Sequence, residues 1–178
     1  GSSGGSGGGT GVEPVPTTFE CWYSTELRDQ DRISAGFYVI GNGGPGWSGA
    51  AVYYSADGEA TWVYAGVLTS RGTFGQATNT LASGTVGWDH VNTLQVLMDY
   101  GTLETVSTTQ VEGGDNILVV GDEILGFETA TLTGADAYDL TDLLRGIRDS
   151  VMTHSASELV VMANAALCRV QVPDSYVG

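Results

Sequence analysis

The chain has 178 residues, 42% of them apolar, so it is long enough for one globular domain with a hydrophobic core and short for two. It carries 21 acidic residues against six basic ones, all arginine, for a formal net charge of -15. Because affinity for nucleic-acid phosphates depends on clustered Lys and Arg, this balance argues against direct nucleic-acid binding. The sequence also shows no secretory signal and no apolar run of the roughly 18 residues that a transmembrane segment needs.

The first residues are dominated by Gly, Ser and Pro. Residues 1–11 read GSSGGSGGGTG, and Pro14 and Pro16 follow, a composition typical of a flexible linker or an extended lead-in. We therefore expect residues 1–18 to form a linker or lead-in and residues 19–178 to form a single β-rich domain.

From residue 19 onward, short segments rich in β-branched and aromatic residues alternate with turns, as is typical of β proteins. The clearest pair is AAVYYS and TWVYAGVL, between which Asp57 and Gly58 predict a hairpin turn with positive φ. The other predicted strands are FECWY, AGFYVIG, TLQVLMD, TLETVST, NILVVG, EILGFETATLT, ELVVMA and ALCRVQV. About ten short strands favour an all-β fold, an antiparallel β-sandwich or a barrel-like domain.

One segment, AYDLTDLLRGIR at residues 137–148, departs from the strand pattern. Its aliphatic residues recur at helical spacing, and they are Leu140, Leu143, Leu144 and Ile147. Gly146 is a suitable residue to end a helix. The sequence therefore predicts one short helix near residues 139–147.

Acidic residues are plentiful, but their spacing gives no complete site. Glu123 and Glu128 flank a predicted strand at odd spacing, so their side chains face opposite ways and cannot form a glycosidase pair by themselves. Glu123 could pair with an acid from another strand, whereas the simpler interpretation is a solvated sheet face. Asp29-Gln30-Asp31 and Asp57-Gly58-Glu59 place oxygen ligands two residues apart, as calcium loops do, yet neither completes an EF-hand. We predict no metal and no cofactor.

Histidine and cysteine add no catalytic signature. Ser155 follows His154, but no G-x-S-x-G motif is present, and we interpret His154 as a loop histidine that hydrogen-bonds to the backbone. Cys21 and Cys168 either form a disulfide or remain two free, largely buried thiols, and we favour the second interpretation.

The aromatic residues suggest an alternative function. Four tryptophans and eight tyrosines are available to stack on sugars, although a chain with four phenylalanines needs the same rings for its core. Trp47 and Trp88 lie in or beside Gly-rich loops and are the candidate glycan contacts. The alternative is thus a carbohydrate-binding β-sandwich that recognises a cell-surface glycan.

Four segments in a fixed order make the chain resemble a known family. They are WSGAAVYYSADGEATWVYAGVL, TLQVLMDYGTLETVS, GDNILVVGDEILGFETATL and YDLTDLLRGIRDSVMTH. In this order they resemble the C-terminal part of the tail-tip, or baseplate-hub, proteins of siphophages and gene transfer agents. The last segment resembles the family signature Tyr-x-Leu-x-x-Leu-Leu-Arg-Gly-x-Arg. It departs where the family usually has Arg-Gly-Thr and this chain has Arg148-Asp149-Ser150.

The resemblance implies a structural, non-enzymatic domain of a longer virion polypeptide. Such proteins form a central, usually trimeric hub beneath the tail tube and take part in tail assembly, host attachment and DNA delivery. The implied partners are other copies of the hub chain, neighbouring tail proteins and a host receptor or glycan. The implied location is the phage tail tip or baseplate of the virion, after assembly in the host cytoplasm. No catalytic residues come with the signature.

The Leu-Leu-Arg-Gly block is the candidate structural motif, and it comprises Leu140, Leu143, Leu144, Arg145, Gly146 and Arg148. Its leucines would bury the element against the sheet, and Arg145 and Arg148 can each form a bidentate pair with a carboxylate. If the partner of Arg145 is buried, we expect replacement of Arg145 by Ala to lower stability by about 1–3 kcal/mol.

Overall fold

The computed structural model describes residues 16–23 and 27–173. This part of the chain forms twelve strands, a 3-10 helix at Asp29–Ile33 and a single α-helix, α1, at Thr108–Glu112. The strands are β1 Thr18–Trp22, β2 Gly36–Asn42, β3 Ala50–Tyr54, β4 Val63–Leu68, β5 Phe74–Ala77, β6 Gly87–Asp89, β7 Leu94–Tyr100, β8 Ile117–Val120, β9 Glu123–Gly134, β10 Ala137–Ile147, β11 Leu159–Met162 and β12 Cys168–Gln171. The expected all-β, antiparallel fold is confirmed, and β1 begins one residue before the expected start of the domain.

Six strands close into an antiparallel barrel. Their order is β10-β7-β5-β11-β8-β9, and β9 pairs again with β10 to complete the circle. On the side away from β9, the long strand β10 pairs with two strands. Its first half pairs with β7, and Leu143–Arg145 pair with β6. Closure gives each barrel strand a neighbour on both sides, which removes the free edges that an open sheet would have.

Apolar side chains fill the barrel, as expected for a barrel of so few strands. The apolar core of the barrel comprises Ala77, Leu81, Leu94, Val96, Met98, Leu103, Leu118, Val120, Leu125, Phe127, Tyr138, Leu140, Leu143 and Val160. Alternate residues of β7 contribute to it, because successive side chains of a strand point to opposite faces.

A second layer covers one side of the barrel. The sheet β1-β2-β12 contacts the barrel through Ile40, Phe74 and Val161. The β3–β4 ribbon packs on that sheet around Val39 and Cys168. The predicted hairpin is thus confirmed, but the positive φ angles lie at Gly58 and Glu59 (67° and 70°), not at Asp57.

The predicted helix near residues 139–147 is wrong, because this segment is strand β10. Leu140 and Leu143 are both buried although they are three residues apart, because the alternation of buried and more exposed side chains shifts by one residue between them. Asp142, with φ 53°, stands at that change. A local left-handed residue therefore produced the spacing that resembles a helix. The predicted strand at residues 102–108 is also wrong: this segment is irregular and leads into α1.

A bulge in β10 lies at the arginine-glycine step of the motif. Leu144 pairs with Gly126 and Ile147 with Ile124, so β10 carries one extra residue here. Gly146 has φ 68°, and a Cβ at this position would collide with the Val151 side chain. Glycine is required on both counts.

The two cysteines are free, and β2 separates them. Cys21 and Cys168 both pair with Val39, from opposite sides of that strand. Strands two positions apart are about 10 Å apart, which is too far for a disulfide. Cys168 is buried as expected, whereas Cys21 is exposed, so the expectation of burial is wrong for Cys21.

We predict that Gly146→Ala destabilises the protein more than Gly58→Ala does. The two glycines have nearly the same φ, 68° and 67°, but the space around Gly58 is open. The left-handed backbone should cost about 1–2 kcal/mol in both variants, and the collision at residue 146 should add about 1–3 kcal/mol. Guanidinium unfolding of the two variants measures the difference, and equal losses would contradict the packing described for the bulge.

Candidate functional site

One charged residue of the motif, Arg145, lies among other charged residues at one end of the barrel, where β9 begins and β10 ends. Glu123, Arg145 and His154 are 0%, 1% and 0% exposed. Glu158 stands at the rim, just before β11, with a side chain that is 30% exposed. We call these four residues the buried charge cluster.

Arg145 forms a bidentate pair with Glu123. Its Nε donates to Oε1 at 2.7 Å and its Nη2 donates to Oε2 at 2.8 Å. Its remaining donors reach the carbonyl oxygens of Ala82 and Met152, and Asp89 lies 3.7 Å from Nη1. The expected bidentate pair is confirmed for Arg145, and its partner is buried.

Glu123 receives hydrogen bonds on both carboxylate oxygens. Besides Arg145, the backbone N–H groups of Gly146 and Met152 donate to it, at 3.1 and 3.0 Å. Burial alone would raise the pKa of Glu123, but the hydrogen bonds from Arg145, His154 and Met152 lower that pKa to about 2. The interpretation of this carboxylate as part of a solvated face is wrong; it is an ionised group in the interior.

His154 lies between two carboxylates. Its Nε2 is 2.9 Å from Glu123 Oε2 and its Nδ1 is 2.8 Å from Glu158 Oε2. Its backbone, not its ring, pairs with Leu81. The expectation that the side chain hydrogen-bonds to the backbone is therefore wrong. Burial lowers the pKa of His154, but the hydrogen bonds to the two glutamates outweigh it and leave that pKa raised.

The other motif residues occupy different environments. Leu140 and Leu143 are fully buried inside the barrel, whereas Leu144 is half-buried. Arg148 donates a single hydrogen bond, 2.9 Å, to the exposed Asp29, so its expected bidentate pair is not formed. This bond lowers the pKa of Asp29.

The two candidate glycan contacts lie on different layers. Trp47 is half-buried against the β1-β2-β12 layer, and its Nε1 donates to Thr17 Oγ1 at 2.9 Å. Trp88, in β6, stacks on the His90 ring at 5.9 Å with an interplanar angle of 5°. The structure does not bring these two rings together into one platform.

Three further exposed rings lie on or beside the β3–β4 ribbon. Tyr53, Trp62 and Tyr64 are 53%, 58% and 59% exposed, and Tyr53 and Tyr64 pack edge to face at 5.6 Å. Our sequence reasoning missed this surface. The available signal was that AAVYY and VYAGVL contain no charged residue at any position, so both faces of the ribbon are apolar while only one covers a core.

The acidic loops use their oxygens internally. Asp57 accepts hydrogen bonds from the hydroxyls of Ser55 and Thr61, and Asp31 accepts from Tyr38 and Arg28. Among residues 16–23 and 27–173, no three His, Cys, Asp or Glu side chains are grouped to hold a metal ion. No helix in the described part of the chain is long and apolar enough to span a bilayer.

A cavity of about 750 Å³ lies outside the barrel, lined by apolar residues that include Val111, Ile117 and Leu144. Of the two arginines at it, Arg28 pairs with Asp31, while Arg148 pairs with Asp29. The cavity combines no nucleophile with a base among its described lining residues.

The chain matches a protein family over part of its length. Residues 72–166, more than half of the chain, match the family described as Rcc01698-like, C-terminal. The matched range contains every strand of the barrel, β6, α1 and all four residues of the buried charge cluster. The ribbon, β1, β2 and β12 lie outside it. No curated protein matches the chain.

We predict that Arg145→Ala lowers the free energy of unfolding by about 3–5 kcal/mol. This exceeds the loss of about 1–3 kcal/mol expected from the sequence for a lost hydrogen bond, because the Glu123 carboxylate is left as a fully buried charge without its main partner. Arg148→Ala is the matched control and should cost less than about 1 kcal/mol, since its partner is exposed. Guanidinium unfolding at neutral pH compares the variants. Similar losses in both would show that burial of the pair does not matter.

Proposed function

Because the chain belongs to the family described as Rcc01698-like, C-terminal, we propose that it is a non-enzymatic structural domain that assembles with other protein chains. We further propose that it forms part of a phage or gene-transfer-agent tail tip, within a hub that serves tail assembly, host attachment and DNA delivery. The resemblance of the four sequence segments supports this location in the virion, after assembly in the host cytoplasm.

The observation that carries the assembly role is the exposed apolar surface of the β3–β4 ribbon. We call it the ribbon patch, and it comprises Tyr53, Trp62, Tyr64 and Val67, each about half exposed. Apolar residues concentrated in this way on a surface are typical of sites that bind another protein. Aromatic rings contribute most to such interfaces, because they bury large areas and lose little entropy.

The charge distribution supports the same role. The two ribbon strands carry no charged residue, in a chain whose net charge is -15. Two copies of so acidic a protein repel each other over most of their surface, so a neutral patch is where they can approach closely. We propose other copies of the hub chain, in a trimer, as the partner at the ribbon patch.

The environment of the buried charge cluster supports a non-enzymatic role. Glu123, Arg145 and His154 are closed off from solvent, so a substrate has no access to them. A general acid needs a carboxyl with a raised pKa, whereas the pKa of Glu123 is lowered to about 2. The cluster therefore stabilises the barrel end and does not act on a substrate.

We predict that the protein self-associates through the ribbon patch. Light scattering coupled to size exclusion should show trimers for the wild type at high concentration. Tyr53→Ser with Tyr64→Ser should raise the concentration needed for association at least tenfold, because truncating central aromatic residues commonly costs 2 kcal/mol or more. Leu132→Ser is the control, since Leu132 is 63% exposed and lies on β9, away from the ribbon.

Two results would contradict the proposal. A wild type that stays monomeric at all concentrations would argue against the sister-chain contact. Binding to a glycan array that the same two tyrosine substitutions abolish would favour the alternative, a carbohydrate-binding module, and would assign the rings to sugar stacking.

A further inference from the structure

Neither ring nitrogen of His154 faces a hydrogen-bond donor, so neither can act as an acceptor. Both nitrogens lie within hydrogen-bonding distance of carboxylate oxygens, at 2.9 Å for Glu123 and 2.8 Å for Glu158. An ionised carboxylate only accepts, and a neutral imidazole has one donor and one acceptor nitrogen. If both glutamates are ionised, the ring must carry two protons.

Hydrogen-bond donors surround the oxygens of both glutamates, an arrangement that suits ionised carboxylates. Glu123 Oε1 accepts from Arg145 Nε and the Gly146 N–H, and its Oε2 accepts from Arg145 Nη2 and the Met152 N–H. A proton on either carboxylate oxygen of Glu123 would face a hydrogen-bond donor and not an acceptor. The second oxygen of Glu158 accepts from the Ser155 N–H at 2.8 Å, and its side chain reaches solvent.

We propose that His154 is an imidazolium cation at neutral pH, and that loss of its proton in alkaline solution releases the segment 148–158 from the end of the barrel. With two protons on the ring, the two glutamates are balanced by Arg145 and His154. Loss of one proton leaves a ring nitrogen lone pair facing a carboxylate oxygen, and one of the two negative charges has no matching cation. Asp89 adds a further negative charge near Arg145, 3.7 Å from Nη1.

The position of the segment explains why it would respond. It connects β10 to β11, and His154 pairs with Leu81 through the backbone and holds Glu123 and Glu158 through the ring. The His154 ring thus links the β10–β11 connection to Glu123 at the start of β9 and to Glu158, just before β11. This inference does not depend on the proposed function.

The direction of the pH dependence follows from the shifts. The pKa of His154 is raised above its ordinary value, so its contribution to stability is complete below about pH 6.5 and is lost as the pH rises through the folded value. The pKa of Glu123 is lowered, so its contribution is complete above about pH 4.5 and is lost as the pH falls towards about 2. The cluster stabilises the fold most between these limits.

Side-chain nitrogen NMR tests the protonation state directly. At pH 7, both ring nitrogens of His154 should show the shifts of protonated imidazolium, with the exposed His90 as the internal reference. Glu158→Gln should lower the titration midpoint of His154, because it removes one of the two facing charges. A neutral tautomer at pH 7, or an unchanged midpoint in Glu158→Gln, would overturn the proposal.

Unfolding measured from pH 6 to pH 10 tests the release. Wild type should lose stability as His154 deprotonates, whereas His154→Gln should be less stable at pH 6 and show a flatter profile. His90→Gln is the control and should keep the wild-type profile. Parallel profiles for wild type and His154→Gln would overturn the proposal. If His154→Gln does not fold, the NMR titration of Glu158→Gln decides.

Discussion

The ion pair between Glu123 and Arg145 is the interaction on which the barrel end depends. It joins the first residue of β9 to a residue near the end of β10, and the pairing of these two long strands closes the barrel. Neither charge could remain in the interior alone, since burying an unpaired ion costs several kcal/mol. The bulge at Gly146 belongs to the same arrangement, because its N–H donates to Glu123.

The molecule divides into a part that holds the fold and a part that is free to make contacts. The family match at residues 72–166 covers the barrel, and among the described residues the buried side-chain polar atoms of this range all have hydrogen-bond partners. The ribbon lies outside that range and presents uncharged aromatic residues to solvent. A rigid barrel that carries an apolar ribbon is suited to a building block in a larger assembly, and this is the basis of the proposed function.

The sequence was sufficient for most of the strands, though not for β5, β6 or β10. It was also sufficient for the need of Arg145 for a carboxylate, but not for the environment of the charges. Strand patterns depend on local alternation, which the sequence contains. The identity of the partner, Glu123, depends on a register between β9 and β10 that no local pattern encodes. The helix predicted near residues 139–147 failed because Asp142 adopts a left-handed φ, which only the tertiary structure makes visible.

A double-mutant cycle on the free energy of unfolding tests the central ion pair most directly. It compares Glu123→Gln, Arg145→Met and the double variant with the wild type. We expect the double variant to be more stable than the sum of the single losses implies, with a coupling of about 2 kcal/mol or more, because it leaves no lone charge from this pair. Additive losses would contradict the account.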